Sequence, residues 1–153
     1  MKVWRLCKRR HAAFDGEGAR LAGGRWNPRG GAVVYASESL SLAALELLVH
    51  CPPALLPVDL VAIAAEIPDT VRVRRIEEAT LPRGWRRHPA PEALGRLGAE
   101  WLGKRDTVAL SVPSAVVPSE RNVLLNPAHP DFRKVRVGAP EAFSLDPRLA
   151  AGR

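Results

Sequence analysis

RWNPRGGAVVYASESLSLAALELLVHCPP, residues 25–53, contains a turn, a strand and a buried helix in immediate succession, and its reading decides the fold. Arg25-Trp26-Asn27-Pro28-Arg29-Gly30-Gly31 has the composition of a turn, with glycines and a proline that favour chain reversal. Ala32 to Ala36, rich in Val and Tyr, reads as a strand. A helix begins at Ser39 or Ser41, either of which can act as N-cap, and runs to His50 before Pro52-Pro53 stop it. From Leu40 to Val49 that helix is apolar nearly all round, so it is expected to be buried on most faces. Glu46 is its only charge.

Outward from this stretch the chain reads as short strands with few helices. Lys2 to Cys7 is a strand and Phe14 to Gly24 a glycine-rich loop. Val58 to Ile67 and Thr70 to Ile76 are two strands around a Pro68-Asp69 turn. In the second, Val71 and Val73 alternate with Arg72 and Arg74, which gives it one wet face. Pro82 to Pro89 is a basic loop around Trp85. Pro91 opens a helix with Leu94, Leu97, Trp101 and Leu102 on one side, ending near Gly103. Asp106 to Val112 is a strand, Pro113 to Pro130 a long segment broken by prolines, and Phe132 to Val137 a last strand. Without repeats or a low-complexity linker, residues 1–153 read as a single domain. Its class is α+β, a mixed and mainly antiparallel sheet core with a few helices, not a regular βαβ alternation.

Composition bounds the function. The longest apolar stretch, near residues 54–67, is interrupted by Pro57, Asp59 and Glu66, so no membrane span is expected. The first ten residues lack the apolar core of a secretory signal, which puts the expected location in the cytoplasm. Cys7 and Cys51 make neither a disulfide framework nor a metal pattern, and the four histidines lack ligand spacing with them; no metal site is expected. The net charge of +7 favours an anionic partner: nucleic acid, a phosphate-rich small molecule or an acidic protein. Nearly all of that positive charge is arginine, which suits bidentate phosphate recognition, although a genome rich in Arg codons gives the same composition.

Several residues could carry chemistry. A carboxylate in an apolar helix is costly unless paired or functional, so Glu46 is either a structural ion-pair partner or water-facing group, or a carboxylate at the back of a pocket. Gly23-Gly24 would let backbone approach a ligand, and the Trp26-Asn27-Pro28 turn would fix Arg25; a plain hairpin turn with a solvated arginine fits the same residues. Tyr35, the only tyrosine, shares a strand face with Val33 and reads either as core or as part of a site. Ser114 follows a strand and a proline, where a hydroxyl can project into a site. It has no Gly-x-Ser-x-Gly elbow, and Ser114 and Asn126 could equally cap loops. No Walker or dinucleotide fingerprint occurs.

Arg5 in the first strand, GGRWNPRGGAVVYAS, the LSLAALELLVH helix and VPSAVVPSERNVLLNPAHPDF together resemble the RES family, named for an Arg, a Glu and a Ser, in the expected order from about Val3 to Phe132. The resemblance implies an ADP-ribosyltransferase-like fold and a toxin of a toxin–antitoxin pair. It implies an enzyme that takes NAD⁺ as substrate, with no separate cofactor, and breaks the nicotinamide–ribose bond by hydrolysis, phosphorolysis or ADP-ribosyl transfer. It assigns Arg25, Glu46 and Ser114 as the catalytic set, with Ser111 and Ser119 as alternative serines. Arg5, Tyr35, Trp26 and Asn126 become the substrate-binding candidates. It also implies neutralisation by an Xre-like antitoxin, with homo-oligomers within that complex, and no direct contact with nucleic acid. The segment from Pro82 to Arg105 carries no matching motif. The competing expectations are a basic RNA- or DNA-binding module using Trp26, Trp85 and the arginines as a stacking surface, and a non-enzymatic partner of an acidic protein.

Overall fold

The computed structural model describes residues 1–52 and 56–149. Its strands are β1 (Lys2–Lys8), β2 (Val34–Ser37), β3 (Leu60–Glu66), β4 (Val73–Arg75), β5 (Ala109–Pro113), β6 (Arg121–Leu125), β7 (Arg136–Val137) and β8 (Glu141–Phe143). Three α-helices are interspersed: α1 (Glu17–Ala22), α2 (Leu40–Leu48) and α3 (Glu92–Lys104). The strands form one sheet in the order β4-β5-β6-β2-β1-β3-β7, with β8 also paired to β3. Every pairing is antiparallel except β4 with β5. The α+β architecture expected from the sequence is the one observed.

Several local expectations are corrected. The segment from Phe14 to Gly24 contains α1, opened by Gly16 in the left-handed region and supported by a Glu17–Arg20 pair one turn apart. The strands on either side of Pro68-Asp69 do not pair with each other; β3 lies beside β1, and β4 lies beyond β5 at the opposite edge. The proline-broken segment contains β6, a central strand, because its Arg121–Leu125 core is free of proline and packs between β5 and β2. Phe132 to Val137 is mostly a 3₁₀ turn, with only Arg136–Val137 extended. Ser39, not Ser41, caps α2, accepting from Leu42 N–H at 3.0 Å. That helix ends at Leu48 and keeps an open face, since Leu45 and Val49 are 40% and 57% exposed while Leu42, Ala43 and Leu48 are buried. Pro91 caps α3 from outside, and Pro53 lies outside the described residues.

The sheet has a core on each face. Val3, Val34, Ala36, Val123 and Leu125 pack on one side with Ile67 and Val135. Leu110, Val112 and Leu124 pack on the other beneath Trp26, Trp85 and the α3 residues Leu94 and Trp101. α3 meets the turn before β2 so closely that a Cβ on Gly98 would lie 1.6 Å from the Trp26 carbonyl oxygen, so only glycine fits there. α2 lies across β1, with Ala43 against Leu6, Leu60 and Ala62.

One irregularity of the sheet matters most. β1 pairs with β3 along seven residues, yet with β2 only through Trp4 and Ser37. Continued pairing would set Arg5 opposite Ala36 and Leu6 opposite Tyr35. Instead the strands part, and those four residues line a cleft.

Candidate active site

The cleft has a volume of about 730 Å³, within the range of small-molecule sites. Arg5 and Leu6 of β1 and Tyr35 to Ser37 of β2 line it, with Glu46, Leu47 and His50 from the α2 end, Gly23 to Trp26 from the preceding turn, and His88 to Ala90. Of the sequence candidates, the structure thus brings Arg5, Arg25, Trp26, Tyr35 and Glu46 to one place.

Glu46 is half-buried, and among the described residues it has no arginine partner. Its Oε1 accepts from Ser114 Oγ at 2.7 Å and from Asn122 Nδ2 at 2.5 Å. The register explains the meeting. Ser37 on β2 and Val112 on β5 flank Asn122 on β6 as directly opposed partners, so all three side chains share a face, and Ser114, two residues beyond Val112, returns to it. Ser114 itself is fully buried and does not line the cleft. Its oxygen accepts from Val116 and Val117 N–H at 3.0 and 2.9 Å, which directs its one proton at Glu46. Ser114 therefore orients the carboxylate and does not face a ligand. Of the alternative serines, Ser111 accepts from Arg121 Nε at 2.7 Å inside the sheet, and Ser119 is exposed; neither has a bond to Glu46.

Arg25 reaches two backbone carbonyls, Trp85 O at 2.8 Å and Arg87 O at 3.2 Å. Burial pulls its guanidinium below the usual arginine range, and the negative charge of Glu46 pulls it back up. The segment from Pro82 to Arg105, mute in sequence, thus anchors Arg25 and supplies the cleft wall at His88 to Ala90.

The turn carrying Arg25 is clasped from below. Tyr35 Oη donates to Asn27 Oδ1 at 2.7 Å and accepts from Trp26 N–H at 3.0 Å. Asn27 Nδ2 in turn donates to the Ala19 and Gly31 carbonyls at 3.0 and 3.1 Å. A Cβ on Gly24 would come within 2.6 Å of the Tyr35 hydroxyl, so the clasp requires glycine at that point. Burial pushes the Tyr35 phenol well above its usual range and keeps it protonated. The hydroxyl proton is committed to Asn27 and the oxygen to Trp26 N–H, which leaves the ring as the part of Tyr35 open to the cleft. Arg5 donates weakly to His11 O at 3.3 Å, while its buried Nε has no partner among the described residues.

Asn126 is not brought to the cleft. It is buried past the end of β6, where its Oδ1 accepts from Ala128 N–H, the loop-capping reading of that residue. Asn122, four residues earlier in the same segment, is in the cleft; nothing short of the β2–β6 register distinguishes the two. Asn27, Ser37, His50 and His88 are likewise absent from the sequence candidates. Trp26 and Trp85 are only 2% and 6% exposed, so neither offers a face on which bases could stack. This removes the stacking faces that the nucleic-acid reading assigned to the two tryptophans.

A mainly antiparallel sheet, parted between two strands to make a cleft lined by arginines and an oriented carboxylate, defines a small α+β domain with a candidate small-molecule site. The RES domain model matches residues 2–146, and the chain belongs to that family. It is 40% identical to the "Prs ADP-ribosylating toxin" of a Sphingobium species, across 95% of this chain and 94% of that protein. It is 38% identical to "Toxin Res" of Yersinia enterocolitica, across 97% and 99% respectively. The fold is similar to that of a chain in the crystal structure of the M. tuberculosis MbcT–MbcA toxin–antitoxin complex, with a TM-score of 0.78 at 16% identity over 97% of this chain and 86% of that one. Among the described residues no helix is long and apolar enough to cross a membrane.

Proposed function

We propose that this protein is a toxin that cleaves the nicotinamide–ribose bond of NAD⁺, and that a cognate antitoxin silences it. The observation that carries the reading is Glu46, a carboxylate held in the cleft by neutral donors, so that its charge is oriented but not cancelled. In the proposed reaction nicotinamide leaves with the C–N bonding electrons as a neutral molecule, and positive charge develops on the ribose. Because the leaving group needs no proton, the site has only to orient the substrate and stabilise that charge. Glu46 does the second, with its Oε2 available to the ribose.

Arg5 and Arg25 hold the pyrophosphate through charge-assisted hydrogen bonds, and the Tyr35 ring flanks the nicotinamide. The names of the Sphingobium and Yersinia relatives support the toxin activity, and the first of them supports ADP-ribosyl chemistry. NAD⁺ is incubated with the purified protein, with and without phosphate or cell lysate, and the products are identified by mass. Release of nicotinamide supports the reading; ADP-ribose, its 1-phosphate, or a protein of increased mass names the acceptor as water, phosphate or a side chain. Intact NAD⁺ in all three conditions contradicts it.

The antitoxin, an Xre-like protein with an acidic contact surface, would close the cleft by offering Arg5 and Arg25 a carboxylate in place of the pyrophosphate. The net charge of +7 favours such a partner, and the M. tuberculosis neighbour is a toxin–antitoxin complex. NAD⁺ and antitoxin should then exclude each other in a titration, with association that slows as salt rises. Simultaneous binding with full turnover would remove this part of the account.

A further inference from the structure

Glu46 Oε1 receives two donors, and Oε2 receives none among the described residues. One of the donors, Asn122, has an amide that could present either its NH₂ or its oxygen to the carboxylate. Glu46, which only accepts, selects the NH₂, and Ser37 anchors the amide in that orientation. Ser37 sits directly opposite Asn122 on the neighbouring strand, is 3% exposed, and donates its hydroxyl proton to Asn122 Oδ1 at 2.7 Å. With the oxygen bound to Ser37, the NH₂ is turned to Glu46. The opposite orientation would set the Asn122 oxygen against the Glu46 carboxylate at hydrogen-bond distance, and would turn Ser37 from donor to acceptor.

We propose that Ser37 and Asn122 are positioning residues for the reaction, a relay that fixes Glu46 Oε1 and thereby dedicates Oε2 to the ribose. Ser114, just beyond β5, secures the same oxygen, so exchange of the two carboxylate oxygens by rotation would break both bonds. The kinetic part of this inference rests on the NAD⁺ reading above; the orientation of the amide does not. Neither Ser37 nor Asn122 adds charge to the cleft, which separates this role from that of the arginines.

The test compares Ser37→Ala, Ser37→Thr and Asn122→Asp with the parent. NAD⁺ consumption gives kcat and KM, and ¹⁵N NMR gives solvent exchange of the Asn122 side-chain amide. In Ser37→Ala, kcat should fall ~10-fold, the scale of one misdirected hydrogen bond, with KM within about twofold of the parent. The Asn122 amide should lose its protection in the same variant. Threonine keeps the hydroxyl and suits a strand, so Ser37→Thr should restore both. Asn122→Asp, which sets a carboxylate against a carboxylate, should lower kcat by ~10²-fold.

A Ser37→Ala protein with parental kcat and a protected amide overturns the proposal. So does a Ser37→Thr protein as impaired as Ser37→Ala, which would make the site one of packing alone. If the parent leaves NAD⁺ intact, the functional reading fails, and the relay is then judged by amide exchange alone: protection lost in Ser37→Ala upholds it, protection kept refutes it.

Discussion

Glu46 is gripped by side chains, Ser114 beyond β5 and Asn122 on β6, whereas Arg25, which lines the same cleft, is gripped by the backbone carbonyls of Trp85 and Arg87. The means differ, yet in both cases the partners are neutral. On the outer surface the same residue types neutralise one another, as in the Arg20–Glu17, Lys104–Glu100 and Arg148–Asp146 pairs. Those exposed pairs contribute little to stability. The contrast teaches that the cleft orients its charges while leaving them unspent, which is what a site for a ligand of mixed charge requires.

The two groups should fail differently when altered. Glu46→Gln keeps the shape of the side chain and an acceptor for Ser114 and Asn122 but removes the negative charge. NAD⁺ turnover should drop by ~10²-fold or more with the fold intact, checked by rate assay and circular dichroism. A folded variant with parental turnover would make Glu46 structural. Arg25→Lys keeps the charge but loses the planar guanidinium, whose Nη1 reaches two carbonyls and which is proposed to hold the pyrophosphate. It should weaken NAD⁺ binding by about 1–3 kcal/mol, read as a raised KM. An unchanged KM would take Arg25 out of the phosphate site.

Below the cleft, Tyr35→Phe leaves Trp26 N–H and Asn27 Oδ1 without their partner while preserving the ring. The cost should be about 1–3 kcal/mol of stability, visible as a lower Tm. An unchanged Tm would show that the clasp is not needed to hold the turn. The smallest effect belongs to the surface: Arg96→Ala breaks the exposed pair with Glu92 and should change stability by less than about 0.5 kcal/mol. A larger loss there would erase the distinction between surface and cleft on which the comparison rests.

The sequence carried the charged groups, whose signals depend on local pattern. A lone carboxylate in an apolar helix marked Glu46, and paired glycines beside a Trp-Asn-Pro turn marked Arg25, because each signal lies within a dozen residues. The grip on these groups was not legible, since it comes from strands far apart in the chain. Asn122 and Ser37 are 85 residues apart and meet only through the β2–β6 register. Asn126 carried the same local signal as Asn122 and ended outside the cleft, because four residues along the strand carry it past the end of β6. The parting of β1 from β2 left no mark in composition either, for both strands read as ordinary strands. β6 itself was hidden by the prolines around it, although the five residues that pair contain none.

The claim that Arg25 serves binding and Glu46 serves turnover is tested most directly by calorimetric titration of NAD⁺ into Glu46→Gln, alone and combined with Arg25→Lys. The account predicts saturable binding to the first protein, and affinity lower by roughly 5- to 150-fold in the second, the equivalent of 1–3 kcal/mol. Absence of binding to folded Glu46→Gln, or equal affinities in the two proteins, would contradict it.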